Sequence, residues 1–385
     1  MEQVVFVITE CNPFHNGHRA LFDEIRRRFP ERGIVCVQSG NFVQRGEFAS
    51  ADKYARGAET VRGGADLVLE LIPPYSCLSG EAFAAAAVHV AANVGLSGTL
   101  VFGSEVPDQN ALWEIARRLS DPAFEEAVRA RMEACRETGY PAVRASLYEE
   151  RYGPCPALSQ PNASLGICYL MALLREENAP DALPLPRVSG DLIACAGEIR
   201  EMMRTGKGGV ASRFMPVDEP ARLYERFGLM DPLPAGDQLL YLLRALSREE
   251  IASRYGMAPL TDRAVSLAWE CGDVREVISG LKAAHLTDSR VRRSLLALLL
   301  GTPKGIEKTL PPYTVVLAAN EKGRALLAGI RKEKEGVRAI TKPADAQKNP
   351  ALKDAAERAA FADSLYAAAQ KMPGAHFLRE APRML

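Results

Sequence analysis

Two of the chain's five histidines, His15 and His18, lie within one short run, NPFHNGH over residues 12–18. Imidazole rings can donate hydrogen bonds to phosphate oxygens, and Gly17 lets a ligand approach the backbone because it has no side chain. This spacing predicts a cradle for a triphosphate, in which charge at an α-phosphate is stabilised as pyrophosphate leaves. The alternative is that the two histidines only cap a helix or pack in the core.

The flanking residues predict a strand before this run and a helix after it. Residues 4–8 (VVFVI) are a short, β-branched apolar run, typical of a buried parallel strand. From Gly17 to Arg28 apolar residues recur at helical spacing, and arginines fill the last turn, where they suit the helix dipole. Ligands of open α/β sheets bind at the carboxyl ends of strands, and helix N-termini attract anions. The histidines are therefore expected at the ligand-binding edge of a sheet.

Strand-like and helix-like runs alternate over residues 1–215 and predict an α/β fold with a parallel sheet covered on both faces. Further strands are expected at Gly33–Gln38, Asp66–Leu71, Gly98–Phe102 and Leu183–Arg187. Over residues 216–385 helix-like runs dominate, at 238–246, 262–270, 274–284, 288–300 and 351–371. A segment over 313–331 is expected to form a small α/β piece. The pattern predicts two domains, with the boundary near residue 215.

The composition excludes several classes of protein. The chain has 385 residues, 47% of them hydrophobic and 25% charged, which is typical of globular proteins and not of disordered or collagen-like chains. Its longest nearly apolar stretch, residues 82–102, contains His89 and Asn93 and does not read as a membrane span. Its start is acidic, without the basic region of a signal peptide. Its eight cysteines lack metal-site spacing, so we expect reduced thiols, a cytoplasmic location and no membrane partner.

The charge is balanced overall but not along the chain. The 48 Lys and Arg residues match the 48 Asp and Glu residues. Residues 282–342, however, hold 13 basic side chains and 5 acidic ones. Such a segment can bind a polyanion through charge, or it can be a solvated helical surface.

Several blocks resemble one family. H-x-G-H after a first strand resembles the nucleotidyltransferase superfamily with a Rossmann-like fold, which binds ATP with this motif. Residues 10–18 (ECNPFHNGH) look like the E-Y-N-P-F-H-N-G-H of the bacterial tRNA(Met) cytidine acetate ligases. Other similar blocks run across most of the chain: SGNFVQRGE at 39–47, DKYAR at 52–56, VFGSE at 101–105, PN at 161–162, LTDSRVRRSLL at 286–296 and NEKGR at 320–324.

The resemblance implies a Rossmann-like nucleotidyltransferase domain over residues 1–215 and a mainly α-helical, tRNA-binding domain over 216–385. It implies an ATP-dependent acetate ligase, in which acetate and ATP give acetyl-adenylate and pyrophosphate. The acetyl group then goes to N4 of the wobble cytidine of elongator tRNA(Met), with release of AMP. ATP, acetate and tRNA(Met) are the expected partners, without a protein partner. Mg²⁺ is expected with ATP, at a site that no carboxylate cluster in the sequence defines.

The resemblance also assigns site residues. His15 and His18 are the expected catalytic residues. The expected ATP site comprises Ile8, Thr9, Glu10, Asn12, Pro13, Phe14, His15, Asn16, Gly17, His18, Leu21, Gly103, Asn162 and Arg187. The expected tRNA-binding residues are Lys282, Arg290, Arg292 and Arg293.

Other residues leave alternatives open. The loop at 40–46 follows the second strand and is expected to be functional. Lys53 and Arg56 lie one helical turn apart, so they either reach phosphate or RNA or lie on a solvated helix face. Trp113 and Trp269 are expected in the core rather than as stacking platforms.

The chain departs from the family pattern at a few positions, and these keep two other functions open. Cys11 stands where the family has tyrosine, and Val188–Asp191 stand where it has Gly-Ala-Gly-Tyr-His-Asp. Cys195 and Gly197 replace hydroxyl residues before the retained Ile199–Arg200 pair. One alternative is a nucleotidyltransferase of the same fold with another acyl or acceptor substrate. The other is a catalytically silent protein that binds nucleotide or RNA.

Overall fold

A computed structural model describes residues 3–134, 139–188, 190–216, 230, 231, 233, 235–282, 286–330 and 336–385. Strands from both ends of the chain form its central sheet, and a short antiparallel hairpin (β3 and β4) lies apart from it. The strands are β1 (Gln3–Thr9), β2 (Gly33–Ser39), β3 (Phe42–Val43), β4 (Glu47–Phe48), β5 (Leu67–Leu71), β6 (Ser97–Ser104), β7 (Asp181–Pro186), β8 (Tyr313–Ala319), β9 (Arg338–Ile340) and β10 (Arg383–Met384).

Helices cover this sheet and make up most of what the structure describes between β7 and β8. Helices before β7 are α1 (Asn16–Arg28), α2 (Lys53–Arg62), α3 (Gly80–Asn93), α4 (Gln109–Leu119), α5 (Pro122–Ala134), α6 (Tyr140–Tyr152) and α7 (Pro161–Leu173). Those between β7 and β8 are α8 (Ala196–Arg204), α9 (Gly208–Ala211), α10 (Gly236–Ala245), α11 (Arg248–Ala252), α12 (Thr261–Glu270), α13 (Val274–Leu281) and α14 (Asp288–Leu299). The last are α15 (Glu321–Ile330), α16 (Pro343–Gln347), α17 (Lys353–Ala369) and α18 (His376–Arg379).

The order of the strands creates a crevice beside β1. The order is β10-β8-β5-β2-β1-β6-β7, and β9 pairs with β8. β1 pairs in parallel with β2 on one side and with β6 on the other. The chain thus runs outward from β1 in both directions, and ligands of open α/β sheets bind at such a switch point. The α/β fold with a parallel sheet is confirmed, and each strand expected before residue 215 is present.

The C-terminal segment joins this sheet. β8 (YTVVLAA) is buried along its whole length and pairs antiparallel with β5. The backbone of Gly323 packs against Asp66, at the start of the Asp66–Leu71 run. A Cβ on Gly323 would lie 1.9 Å from the Asp66 carbonyl oxygen. The strand and the helix expected over 313–331 are present as β8 and α15. They belong to the central sheet, because an apolar strand needs a partner strand and cover on both faces. The domain boundary near residue 215 stays a prediction.

Within the part of the chain that the structure describes, no helix has both the length and the apolar character needed to cross a membrane. The cytoplasmic location stays a prediction.

Candidate active site

The turn after β1 uses its two histidines to begin α1. His15 is the N-cap, and its Nδ1 accepts a hydrogen bond from the Gly17 N–H at 3.1 Å. The His15 N–H in turn donates to His18 Nδ1 at 3.3 Å, and the two rings stack with centroids 3.9 Å apart. Because each Nδ1 is an acceptor, each neutral ring carries its proton on Nε2. Capping and function are therefore compatible, since the cap leaves both Nε2–H groups as donors.

The environment keeps both rings neutral at physiological pH. Burial, helped by the positive charge of Arg187, lowers the pKa of His15 to about 4. Burial also holds the pKa of His18 well below its ordinary value, with smaller contributions from His15 and Arg187. At pH 7 the turn therefore offers two neutral N–H donors and the N-terminus of α1, beside one guanidinium.

A cavity of about 520 Å³ opens at the carboxyl ends of β1, β6 and β7, next to the histidines. This volume lies within the roughly 300–1,000 Å³ of small-molecule sites. The cavity brings together most of the expected ATP residues. Those that line it are Ile8, Thr9, Glu10, Asn12, His15, Gly17, His18, Leu21, Gly103, Asn162 and Arg187.

Three expected ATP residues do not line the cavity. Pro13 and Phe14 are buried behind it, and the Phe14 ring stacks on that of His18 at 5.4 Å. Asn16 donates its side-chain amide to the carbonyl oxygens of Leu192 and Arg213, at 2.9 and 3.0 Å. In this structure these side chains hold the histidine turn in place, and contact with ATP stays a prediction for them.

One wall of the cavity is organised by a carboxylate that sequence reasoning did not select. Glu105 accepts hydrogen bonds from Asn162 Nδ2 at 2.6 Å and from the Ala163 N–H at 2.8 Å, and it pairs with Arg187 at 3.4 Å. Burial alone would raise the pKa of Glu105, but these hydrogen bonds outweigh burial and lower it. Gly103 borders open space here, since a Cβ on it would meet nothing within 4 Å.

Arg56 is a structural clamp rather than a surface cation. It is 1% exposed, and its guanidinium donates to the carbonyl oxygens of Glu10 at 2.6 Å, Ser39 at 3.0 Å and Gly40. It therefore joins the chain segments that leave β1 and β2. Both readings of Arg56, as a phosphate or RNA ligand and as a solvated side chain, are wrong.

Lys53 is also buried, at 1% exposure, so the same two readings are wrong for it. Its Nζ lies 2.8 Å from Glu70 Oε2 and 2.6 Å from Asp363 Oδ2. Asn41 completes the cluster, because it donates to Asp363 and accepts from the Lys53 N–H, each at 2.9 Å. Burial raises the pKa of Glu70 to about 7 despite the nearby ammonium. The cluster ties α17 to the loop that follows β2.

The expected functional loop at 40–46 borders the cavity. Gln44 and Arg45 line it, and the Gln44 N–H donates to Glu10 Oε1 at 2.7 Å. Gly46 has φ +75° and lies against α14, where a Cβ would come within 2.4 Å of the Arg293 nitrogen. The loop thus lies between the cavity and α14.

Two of the expected tRNA-binding arginines contact this loop and the adjoining strand β4. Arg292 forms an ion pair with Glu47, which is 6% exposed and also lies 3.5 Å from Arg200. Arg293 donates to the carbonyl oxygen of Gln44 at 3.2 Å. These side chains hold the loop beside the cavity, so part of their hydrogen-bonding capacity is used within the protein.

A second cavity, of about 530 Å³, adds cations that the sequence did not single out. Lys282 and Arg292 line it together with Arg204 and Arg275. Acidic partners lie nearby, since Lys282 pairs with Asp288 at 2.9 Å. Arg204 and Arg275 lie on α8 and α13, outside the block that resembles the family's basic helix, which is why they were missed. Arg290 does not line this cavity and forms no side-chain ion pair with any described residue.

Trp269 corrects another expectation. It is 68% exposed, and the Arg244 guanidinium lies 6.0 Å from its ring centroid. Helix α12 buries its other face, which carries Ala264, Leu267 and Ala268, so Trp269 points away from the core. Trp113 packs against the core, as expected.

The departures from the family pattern lie around the same cavity. Cys11 is 1% exposed and lines it, with its Sγ 3.0 Å from Thr9 Oγ1. Cys195 is the N-cap of α8, and Arg200 on that helix donates to the Asn12 carbonyl oxygen at 2.6 Å. Arg200 thus supports the histidine turn from behind. Within Val188–Asp191, residue 189 lies outside the described residues.

Among the described residues, no group of three or more His, Cys, Asp or Glu side chains is arranged to hold a metal ion. The side chains of this part of the chain therefore do not define a Mg²⁺ site.

Comparison with known proteins identifies the family. The model of the HIGH nucleotidyl transferase family matches residues 1–378. The tRNA(Met) cytidine acetate ligase of Acetivibrio thermocellus is 32% identical over 96% of each chain. That of Syntrophotalea carbinolica is 31% identical over 86% of this chain and 83% of its own. The crystal structure of Thermotoga maritima TmcAL bound with alpha-thio ATP superposes with a TM-score of 0.91, at 26% identity, over 100% of this chain and 99% of the other.

The family model spans nearly the whole chain, and the first of these relatives matches over nearly its full length. The chain belongs to the HIGH nucleotidyl transferase family and, within it, to the family of the tRNA(Met) cytidine acetate ligases.

Proposed function

We propose that this protein is an ATP-dependent acetate ligase that acetylates N4 of the wobble cytidine of elongator tRNA(Met). The observation that carries the proposal is the pair of neutral Nε2–H donors of His15 and His18 at the N-terminus of α1, beside Arg187 in a cavity of ATP-binding size. The choice of tRNA(Met) as the acceptor follows the names of the relatives, and the alpha-thio ATP bound to the Thermotoga maritima protein supports ATP as the nucleotide.

In the proposed first step, a carboxylate oxygen of acetate attacks the α-phosphorus of ATP. The bond from this phosphorus to the bridging oxygen breaks, so acetyl-adenylate forms and pyrophosphate leaves. Both reactants are anions, and donors must offset their repulsion and the charge that grows on the leaving phosphates. His15, His18 and Arg187 are the groups we assign to this task, together with the free N–H groups at the start of α1.

In the proposed second step, the N4 amine of the cytidine attacks the acetyl carbonyl carbon. The bond between this carbon and the phosphate oxygen breaks, AMP leaves, and one N4 proton passes to water. The nucleoside of ATP belongs at the wall of Gly103 and Asn162. Because Asn162 Nδ2 already donates to Glu105, its Oδ1 is left to accept a hydrogen bond from the nucleotide.

The tRNA belongs, in this proposal, on the basic surface formed by the start of α14 and the second cavity. Lys282, Arg290, Arg292 and Arg293 are the proposed contacts, and Arg204 and Arg275 extend the surface around that cavity. Charge of this kind binds a phosphate backbone without reading its sequence. Mg²⁺ is proposed only as a companion of the ATP phosphates, because the described residues provide no cluster of ligands for it.

The test supplies ATP, Mg²⁺, ¹³C-labelled acetate and total bacterial tRNA, then digests the tRNA for mass spectrometry. The proposal predicts labelled N4-acetylcytidine in the elongator tRNA(Met) fraction, and none when ATP is omitted.

The presence of Cys11 in the cavity, at the family's tyrosine position, favours one specific alternative, a different acyl or acceptor substrate. AMP release without label in tRNA(Met) would support that alternative. ATP binding without any AMP release would contradict acetate ligation and would indicate either another acyl substrate or a protein that only binds nucleotide or RNA.

A further inference from the structure

Tyr169 presents a hydroxyl to the main cavity that the steps above do not use. Its side chain lies on α7, is 4% exposed and lines the cavity. The phenol oxygen forms no hydrogen bond with any described residue, yet it is not enclosed as that of Tyr54 is. Hydroxyls of buried tyrosines usually find a partner. An unpartnered hydroxyl on a cavity wall therefore indicates a polar atom of a ligand.

The position of Tyr169 separates it from the proposed nucleoside wall. Asn162 and Tyr169 are seven residues apart on α7, so they share one face at about 10 Å along the helix axis. Tyr169 therefore lies about two helical turns further along α7 than Asn162.

The wall around Tyr169 is apolar. The Phe102 ring packs edge-on against that of Tyr169, with centroids 5.7 Å apart, and Cys168 precedes Tyr169 on α7. Phe83 and Cys168 also line the cavity. Arg45, which also lines the cavity, supplies a positive charge that acts on Glu10. Burial raises the pKa of Tyr169, with smaller contributions from Cys168 and Glu10, so its hydroxyl keeps its proton at neutral pH and remains a donor.

We propose that the Tyr169 end of the cavity is the acyl subsite, and that the Tyr169 hydroxyl donates a hydrogen bond to one carboxylate oxygen of acetate. This inference rests on the proposed acetate ligation. The other carboxylate oxygen attacks the α-phosphorus, and the apolar wall faces the methyl group. The oxygen held by Tyr169 becomes the carbonyl oxygen of acetyl-adenylate.

The same hydrogen bond serves the second step. When N4 attacks the carbonyl carbon, negative charge grows on the oxygen that Tyr169 holds, and the bond to the AMP oxygen then breaks. Tyr169 stays protonated throughout, so the proton count of the reaction is unchanged. A donor placed where charge develops lowers the barrier more than it stabilises the bound substrate.

The test is Tyr169→Phe, which removes only the hydroxyl, assayed as labelled N4-acetylcytidine formed at varied acetate concentrations with saturating ATP and tRNA. Loss of a hydrogen bond to a charged group predicts a decrease of about tenfold to hundredfold in kcat/KM for acetate. The ATP dissociation constant and the KM for tRNA are expected to change less than about twofold, because the nucleoside and RNA sites do not include Tyr169. Tyr54→Phe is the matched control, since it removes another buried, unpartnered hydroxyl.

Each other outcome overturns the subsite. An unchanged kcat/KM for acetate in Tyr169→Phe would show that Tyr169 only lines the cavity and that its hydroxyl does not contact acetate. A change in the KM for tRNA alone would assign the hydroxyl to the cytidine. A similar loss in Tyr54→Phe would show a general effect of lost stability. If the unaltered protein formed no acetylcytidine while binding ATP, the proposed function itself would fail, and the subsite with it.

Discussion

The histidine turn after β1 and the basic helix α14 both stand out in the sequence, yet they differ in how far sequence predicts them. The turn is built by neighbours, since His15 and His18 cap α1 through groups two and three residues away. The contacts of helix α14 come from a distant part of the sequence, since Arg292 pairs with Glu47, 245 residues away. Spacing therefore predicts the geometry of the turn, whereas a count of charges does not predict what an arginine contacts.

The largest expected effect is at the turn. His18→Ala removes one Nε2–H donor, and loss of one such donor predicts a decrease of about 100- to 1,000-fold in the rate of AMP formation. The fold should persist, because a lost helix cap costs about 1 kcal/mol. AMP release is measured with saturating ATP and acetate, and circular dichroism checks the fold.

Two further variants sharpen this result. His18→Asn can keep an acceptor for the His15 N–H and should be as inactive as His18→Ala but more stable. His376 lies near the end of the chain, where it pairs with Glu380. His376→Ala should therefore leave AMP formation unchanged. Normal turnover in His18→Ala would contradict the role of the turn.

The next comparison lies within α14. Arg292→Ala leaves the largely buried Glu47 with only its longer contact to Arg200, so we expect a loss of about 2 kcal/mol in the free energy of unfolding. Arg290→Ala breaks no side-chain ion pair with a described residue and should change this free energy by less than about 0.5 kcal/mol. Urea unfolding of both variants measures the difference.

Binding of tRNA and of ATP should distinguish the two variants further, because both arginines are proposed tRNA contacts but only Arg292 also holds Glu47 beside the loop. Arg290→Ala is expected to weaken tRNA binding and to lower the slope of log affinity against log salt by about one. ATP affinity should be unaffected in Arg290→Ala but reduced in Arg292→Ala, because Arg292 helps to hold the loop of Gln44 and Arg45. Equal stability of the two variants would contradict the structural role assigned to Arg292.

The last expected effect is a shift in the titration of His15. The pKa of His15 is about 4 in the folded protein and about 6.5 in an unfolded chain. The unfolded state therefore binds more protons between these values. The contribution of His15 to stability is fully present above about pH 6.5 and is lost as the pH falls towards 4. Imidazole NMR signals of the free protein should titrate near pH 4, and a midpoint near 6.5 would show that the ring is not buried as described.

Much of the fold could be predicted, because the strands before residue 215 and the main helices carry clear periodic patterns. The pairing of β5 with β8 could not, because it joins segments some 250 residues apart and nothing local encodes it. The same limit explains why the burial of Lys53 and Arg56 was not predicted. Two cations one helical turn apart are typical of an exposed helix face, and only the folded structure shows that a partner such as Asp363 lies beside Lys53.

The candidate site shows the same division. The histidine motif could be predicted, and most of the residues expected at the ATP site do line the cavity, because they sit at strand ends and a helix start. Glu105 and Tyr169 could not be singled out. Their roles depend on which side chains face them across the cavity, and an isolated tyrosine in an apolar helix run reads as core.

The proposed reaction depends on the attack of a carboxylate oxygen on the α-phosphorus of ATP within the histidine-lined cavity. The most direct measurement supplies ¹⁸O-labelled acetate with ATP and tRNA and analyses the products by mass spectrometry. We expect one ¹⁸O in the phosphate of AMP, since that oxygen stays on phosphorus when N4 takes the acetyl group, and none in pyrophosphate. Unlabelled AMP, or ¹⁸O in pyrophosphate or inorganic phosphate, would contradict it.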